Sequence, residues 1–176
     1  MAETKAIVLG GGCFWCTEAV FAMLKGVVKT TAGYAGGSTS NPSYEEVSEY
    51  HTGHAEVLKI EYDPGKISLN TLLDVFFEMH DPTSLNRQGA DVGTQYRSAI
   101  FYTTDAERAA IEKFIEKVRP RFKKPIVTEI KRLERFYTAE EHHQKYYEKN
   151  PDKPYCTFVI KPKIEKIIKE FAAEIK

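Results

Sequence analysis

Cysteine is scarce in this 176-residue chain: three residues, an odd number. That excludes a disulfide-stapled mini-domain, which needs paired thiols in a short chain. Long hydrophobic runs are missing too, and none nears the ~20 residues of a membrane-crossing helix. The first apolar stretch, Ala6-Ile7-Val8-Leu9, follows Glu3 and Lys5 and runs into three glycines. No secretory leader is expected from it, so the expected compartment is cytoplasmic. Net charge is absent as well, with 25 Lys+Arg against 25 Asp+Glu. Yet 42% of residues are hydrophobic and 12% aromatic, far too apolar for a disordered chain. No repeat, low-complexity tract or linker interrupts the sequence. A single domain over 1–176 is expected, large enough to bury a real core.

The zero charge hides two unlike halves. Residues 1–100 carry 7 basic and 12 acidic side chains, and residues 101–176 carry 18 and 13. Arg119, Arg121, Lys123 and Lys124 are the densest basic run, but Pro125 and an apolar stretch follow at once. A solvated face is expected, not a nucleic-acid surface.

Periodicity predicts strands at 4–9, 57–62, 98–102 and 126–130. It predicts helices at about 14–24 and 105–118, one after Ser68 with Leu69, Leu72, Leu73 and Phe76 inward, and a last one burying Ile164, Ile167, Ile168 and Phe171. Ser43 with Glu46, and Thr138 with Glu141, have capping-box spacing. The second would open a helix on which His142 and Tyr146 share a face. Residues 30–43 and 81–93 read as loops, and 158–160 as an extended edge. Strands and helices alternate imperfectly. The expected fold class is α+β: a two-layer α/β sandwich with a mixed, mainly antiparallel sheet, a ferredoxin-like plait, and peripheral helices. Gly10-Gly11-Gly12 lacks the spacing of a phosphate-binding fingerprint.

Those glycines carry the chain into Cys13 at the start of a helix. Free backbone N–H groups there favour a thiolate and would lower the cysteine pKa. Glycines also let a substrate approach the backbone. A small buried hydrophobe is the bland alternative for Cys13. Its place at the helix start, and Cys16 three residues on, favour a reactive thiol. Metal binding by the His142/His143 segment is not expected, because no second C-x-x-C and no H-x₃₋₅-H appears.

Gly12-Cys13-Phe14-Trp15-Cys16-Thr17-Glu18-Ala19-Val20-Phe21 resembles the active-site signature of the peptide methionine sulfoxide reductase A family. So, in order, do Gly33–Gly37, Asn41–Val47, Thr52–Glu56, Tyr62–Pro64, His80–Thr83, Gln88–Ser98 and Pro154–Cys156. The resemblance spans nearly the whole chain. It implies thiol-dependent reduction of methionine S-sulfoxide, free or in proteins, with no cofactor and with thioredoxin or another dithiol as reductant. Membranes are not implied as partners.

By the same resemblance, Cys13 is the nucleophile, and Phe14 and Trp15 hold the substrate methyl group. Glu56 is the acid, Tyr44 and Tyr96 hydrogen-bond the sulfoxide oxygen, and Asp91 helps bind substrate. His54 stays outside this set as a structural histidine. The sequence departs from many relatives, which have glycine where Cys16 stands and carry recycling cysteines in a glycine-rich tail. Here the resolving thiol is Cys16 or Cys156, with direct attack of an external reductant on the sulfenic acid as a third route. The expectation that Cys156 lies in a mobile extended segment tilts the choice towards it.

Overall fold

The computed structural model describes residues 3–49 and 52–176. In chain order, the first part runs β1 (Lys5–Gly11), α1 (Phe14–Phe21), β2 (Val27–Ala35), α2 (Tyr44–Ser48), β3 (Ala55–Tyr62) and α3 (Leu69–Met79). There follow the two-residue strands β4 (Arg87–Gln88) and β5 (Asp91–Val92), then β6 (Ser98–Tyr102) and α4 (Asp105–Val118). The remainder is β7 (Glu129–Arg132), β8 (Phe136–Thr138), α5 (Tyr146–Lys149) and α6 (Lys161–Glu170).

Six strands make one mixed sheet in the order β7-β6-β1-β3-β2-β8. Every neighbouring pair is antiparallel except β6–β7. Alternation along β1 sends Ile7 and Leu9 to one face and Val8 to the other. On the first face they meet Leu72, Leu73 and Phe76 of α3 and Ile111 of α4, all fully buried. Each such side chain contributes roughly 1.5–3 kcal/mol by leaving water. The second face is narrower. Val8, Ala35, Val57 and Phe101 lie there under Leu133 and Phe136. This mixed α/β architecture, a curled sheet with helices against it, is the coarse form of the expected class.

Local signals with a hydrogen-bonding mechanism behave as expected. Ser43 and Glu46 close a reciprocal capping box on α2. The Ser68 hydroxyl accepts from the Thr71 N–H at the start of α3.

Several readings need correction. Residues 30–35 are strand, not loop: β2 pairs with β3 and β8 along both edges. Gly33 there looks like a turn residue, but it is the place where β8 passes too close for a side chain. A Cβ would collide with the Phe136 ring and the Tyr137 carbonyl. The strand expected at 126–130 lies at Glu129–Arg132, placed by its parallel register with β6. No capping box forms at Thr138, which ends β8. Lys145 has φ of 56°, so the expected continuous helix breaks into a turn at Glu141–His143 and the short α5. His142 and Tyr146 therefore share no helix face. Residues 156–160 are helical, not extended; they wind as a π-helical turn into α6. On α6 Ile167 is fully buried, whereas Ile168 is 44% exposed. The loop at 81–93 contains the small β4–β5 hairpin.

Candidate active site

The turn between β1 and α1 is built for close approach. Gly12 has φ of 101°, and a Cβ there would meet the Gln88 side chain at 3.0 Å. Only glycine adopts this backbone without strain. Gln88 in turn pins the next loop: its amide oxygen accepts from the Asp81 N–H at 3.0 Å, and its amide nitrogen donates to the Asp81 carbonyl. Beneath Gly11 lies His80, whose ring is held by the Phe76 carbonyl and by Ser98 Oγ at 2.8 Å. Burial pushes its pKa down to about 4, so it is a neutral strut.

Cys13 is the N-cap of α1. Its carbonyl accepts from Cys16 and Thr17, which starts the helix and places Cys16 next to it. Cys13, Cys16, Cys156 and Ile160 form one buried cluster, and Trp15, Tyr96 and Tyr155 pack against it. All three thiols are free. The expected lowering of the Cys13 pKa is not seen in this closed site. Burial is the main force pushing it up; Cys16 and the Glu56 charge add to that, and the helix-start N–H of Trp15 opposes them without winning. The depressed thiol is Cys16, drawn down to about 7. A hydrogen bond from Cys13 is the largest cause, with the Lys163 charge helping.

Glu56 sits on β3, 1% exposed. Its Oε1 accepts from the Phe14 N–H of α1 at 3.3 Å. Its Oε2 is buried with no hydrogen-bond partner among the described residues. Burial raises its pKa to about 8, so at neutral pH the group is a carboxylic acid with an unused O–H. Tyr44 opens α2 and Tyr96 ends a turn before β6. Burial first, then the nearby Glu56 charge, holds both phenols above their ordinary value, so they remain donors. Cys13, Glu56, Tyr44, Tyr96 and Asp91 are thus within electrostatic reach of one another.

Phe14 is buried against Tyr34 and His143. Trp15 stacks on Tyr146 at 3.6 Å, and its indole N–H donates to His143 Nδ1 at 3.1 Å. Asp91, on β5, accepts from the Tyr155 hydroxyl at 2.7 Å. Beside this pair opens a cavity of about 590 Å³ whose lining includes Gln88, Asp91, Tyr155 and Lys163. Cys156 does not run along the surface: it is fully buried in its helical turn. His54 is a satisfied structural residue, accepting from the Gly37 N–H and donating to the Thr39 carbonyl.

Sequence reasoning missed the residues that position these groups. Glu18, 3% exposed, accepts from Thr30 Oγ1 at 2.8 Å and from the Lys145 N–H at 2.6 Å. It thereby holds the left-handed residue that delivers Tyr146 to Trp15. Glu140 accepts from the Tyr34 hydroxyl and the Tyr44 N–H, joining β2 to α2. Gln144 bonds both backbone groups of Ala32. Glu18 and Tyr155 did lie inside recognisable motifs. The partners of Glu140 and Gln144 are about a hundred residues away, and no local pattern marks them.

A thiol at a helix start, facing a buried neutral acid and two further thiols, is equipped for sulfur redox chemistry, the work of an oxidoreductase. The comparisons agree. The family model described as peptide methionine sulfoxide reductase matches residues 5–175. The chain belongs to the peptide methionine sulfoxide reductase family. It is 53% identical over 175 residues to peptide methionine sulfoxide reductase MsrA of Haloquadratum walsbyi, covering 99% of both chains. With the MsrA of Saccharolobus solfataricus it shares 51%, covering 98% of this chain and 97% of that one. Among solved structures it resembles reduced Mxr1 from Saccharomyces cerevisiae. That match has a TM-score of 0.84 and 41% identity, over 88% of this chain and 90% of the other. Mxr1 in complex with Trx2 also matches, at TM-score 0.60 and 33% identity, over 82% and 85%.

Proposed function

We propose that the protein reduces methionine S-sulfoxide, free or in proteins, to methionine, and that thioredoxin or a similar dithiol restores it. The observation that carries this reading is the Glu56 carboxyl. One oxygen is anchored on the Phe14 N–H, and the other is buried, neutral and, among the described residues, unpartnered beside Cys13. A sulfoxide oxygen is a strong acceptor that gains charge as its bond to sulfur breaks. A fixed proton donor stabilises that charge.

In this mechanism the Cys13 sulfur attacks the sulfoxide sulfur. Glu56 gives its Oε2 proton to the oxygen, with Tyr44 and Tyr96 donating hydrogen bonds. The Cys13 proton replaces the one Glu56 gives up. The oxygen then passes from the substrate sulfur to the Cys13 sulfur as the transient S–S bond breaks, so one thiol and one sulfoxide become a Cys13 sulfenic acid and methionine. Phe14 and Trp15 hold the methyl group, and Asp91 binds the substrate's polar part. We assign both remaining thiols to resolution. Cys16 comes first, since it lies against Cys13 and is the more readily ionised. Cys156 follows as its neighbour in the same cluster. Support for a thioredoxin-type reductant comes from the Mxr1–Trx2 match.

The chain acts as a single catalytic domain, consistent with one continuous sheet and a family match over 5–175. The finer reading of the fold, a ferredoxin-like plait, rests on the central order β6-β1-β3-β2 with α1 and α3 as connections. The decisive assay offers S- and R-methionine sulfoxide separately with dithiothreitol. Turnover of the S form alone is expected; turnover of neither sinks the reading.

A further inference from the structure

Cys16 has to lose a proton to attack, and it is 1% exposed. Water is no ready base there. The titratable and charged groups that face it are Cys13, Glu56, Asp91, Tyr155, Cys156 and Lys163. Most are unsuited. Cys13 is the electrophile in this step. Lys163 has no lone pair to offer when charged. Glu56 has one oxygen committed to Phe14 and the other facing the sulfoxide position in the proposed mechanism. Cys156 is a thiol pushed upward by burial.

Tyr155 is different. Its hydroxyl donates to Asp91 Oδ2 at 2.7 Å and lies 3.5 Å from Cys16 Sγ, within hydrogen-bond range for sulfur. A phenol has a single proton. With that proton on Asp91, the phenol oxygen accepts from the Cys16 thiol. The result is a directed chain: Cys16 S–H to Tyr155 O–H to Asp91. Trp15 holds the Tyr155 ring edge-on at 5.7 Å, which fixes its aim.

We propose that Tyr155 is the proton-transfer residue of the resolving step, taking the Cys16 proton while passing its own to Asp91. The proposal rests on Cys16 being the thiol that resolves. Cys16 supplies the electron pair of the new S–S bond to Cys13. The pair of the broken S–O bond leaves with hydroxide, which takes up one proton and departs as water. The step is therefore proton-neutral overall, and the chain holds the Cys16 proton while the bond forms. Oxidation of Cys13 also removes the S–H that supports Cys16 most in the reduced state. Tyr155 then becomes its main hydrogen-bonding partner.

The test is a single turnover with one equivalent of S-methionine sulfoxide, following methionine release and disulfide formation separately. Sulfenic acid is trapped with dimedone, and the disulfide is mapped by mass spectrometry. In Tyr155→Phe the ring stays and the relay is lost. Disulfide formation should slow relative to methionine release by about a hundredfold, the lower end of acid–base contributions. Sulfenic acid should accumulate, and the residual rate should climb with pH as external base substitutes. A Tyr155→Phe protein that closes the Cys13–Cys16 bond at the normal rate, with the normal pH profile, overturns the relay. In the unaltered protein, disulfide formation should be slower in D₂O, and no isotope effect also overturns it. A Cys13–Cys156 bond as the first disulfide would instead overturn the assignment of Cys16, and the relay with it.

Discussion

The first hundred residues and the last forty-five build the site in opposite ways. Cys13, Glu56 and Tyr96 sit at or beside β1, β3 and β6, neighbouring strands of one sheet. Their spacing is set by backbone ladders and by a core of fully buried side chains. Between β8 and α6, over residues 139–160, the elements are short, and side chains supply most of the ties to the sheet. Glu18, Glu140, His143 and Gln144 tie residues 140–145 to α1 and β2 and set Tyr146 against Trp15. Groups that must hold a reacting atom within fractions of an ångström belong on rigid elements. Groups that admit a substrate or carry a disulfide away belong on a segment with fewer packing constraints.

The comparison can be broken at its strongest point first. Cys13→Ser should abolish methionine formation from the S-sulfoxide with dithiothreitol, because serine cannot supply the sulfur nucleophile. Retained turnover would reject the nucleophile. Next, Glu56→Gln should lower the rate by about 10²–10⁴. The sign with pH follows from the raised pKa of about 8. The acid form is populated below that value, so wild-type activity should decline above about pH 8, and the glutamine variant should lack that limb. Stability follows the same direction. The buried neutral acid favours the fold fully below the unfolded value near 4.5, and this contribution is lost as pH rises through about 8. Urea unfolding at pH 6 and pH 9 should show wild type weakening more than Glu56→Gln.

A smaller effect sharpens the second half of the comparison. Gln144→Ala leaves Ala32 without its side-chain partners and should cost about 1–3 kcal/mol. Limited proteolysis should then cut first within residues 139–160. Cleavage inside the sheet instead would show that the two regions do not differ in stability. The smallest effect is expected at Arg121, whose half-exposed ion pairs with Asp74 and Glu78 tie a turn to α3. Arg121→Ala should lower the unfolding free energy from urea titration by less than about 1 kcal/mol.

Legibility followed the same division. The start of α3, both ends of α4 and the caps at Ser43 and Ser68 were readable, because each depends on bonds three or four residues apart. Strand β2 was obscured by Gly33, whose reason is the Phe136 ring over a hundred residues later. The helix expected after Thr138 failed for a similar cause: Glu18, far away in sequence, captures the Lys145 N–H and fixes a left-handed residue. Candidate site residues were legible through their motifs, but their electrostatics were not. A helix start alone argued for a low Cys13 pKa; burial and Glu56, supplied by the fold, reversed it.

The sequence by itself determined the family, the alternation of apolar residues that builds the sheet and its helices, and which side chains carry sulfur and acid. Those depend on residue identity and short spacing. The tertiary structure decided which of those groups are neutral, which thiol is depressed, and that Tyr155 joins Cys16 to Asp91. Ionisation and hydrogen-bond direction depend on what surrounds a group in space, and residues 13, 56, 91 and 155 become neighbours only when the chain has folded.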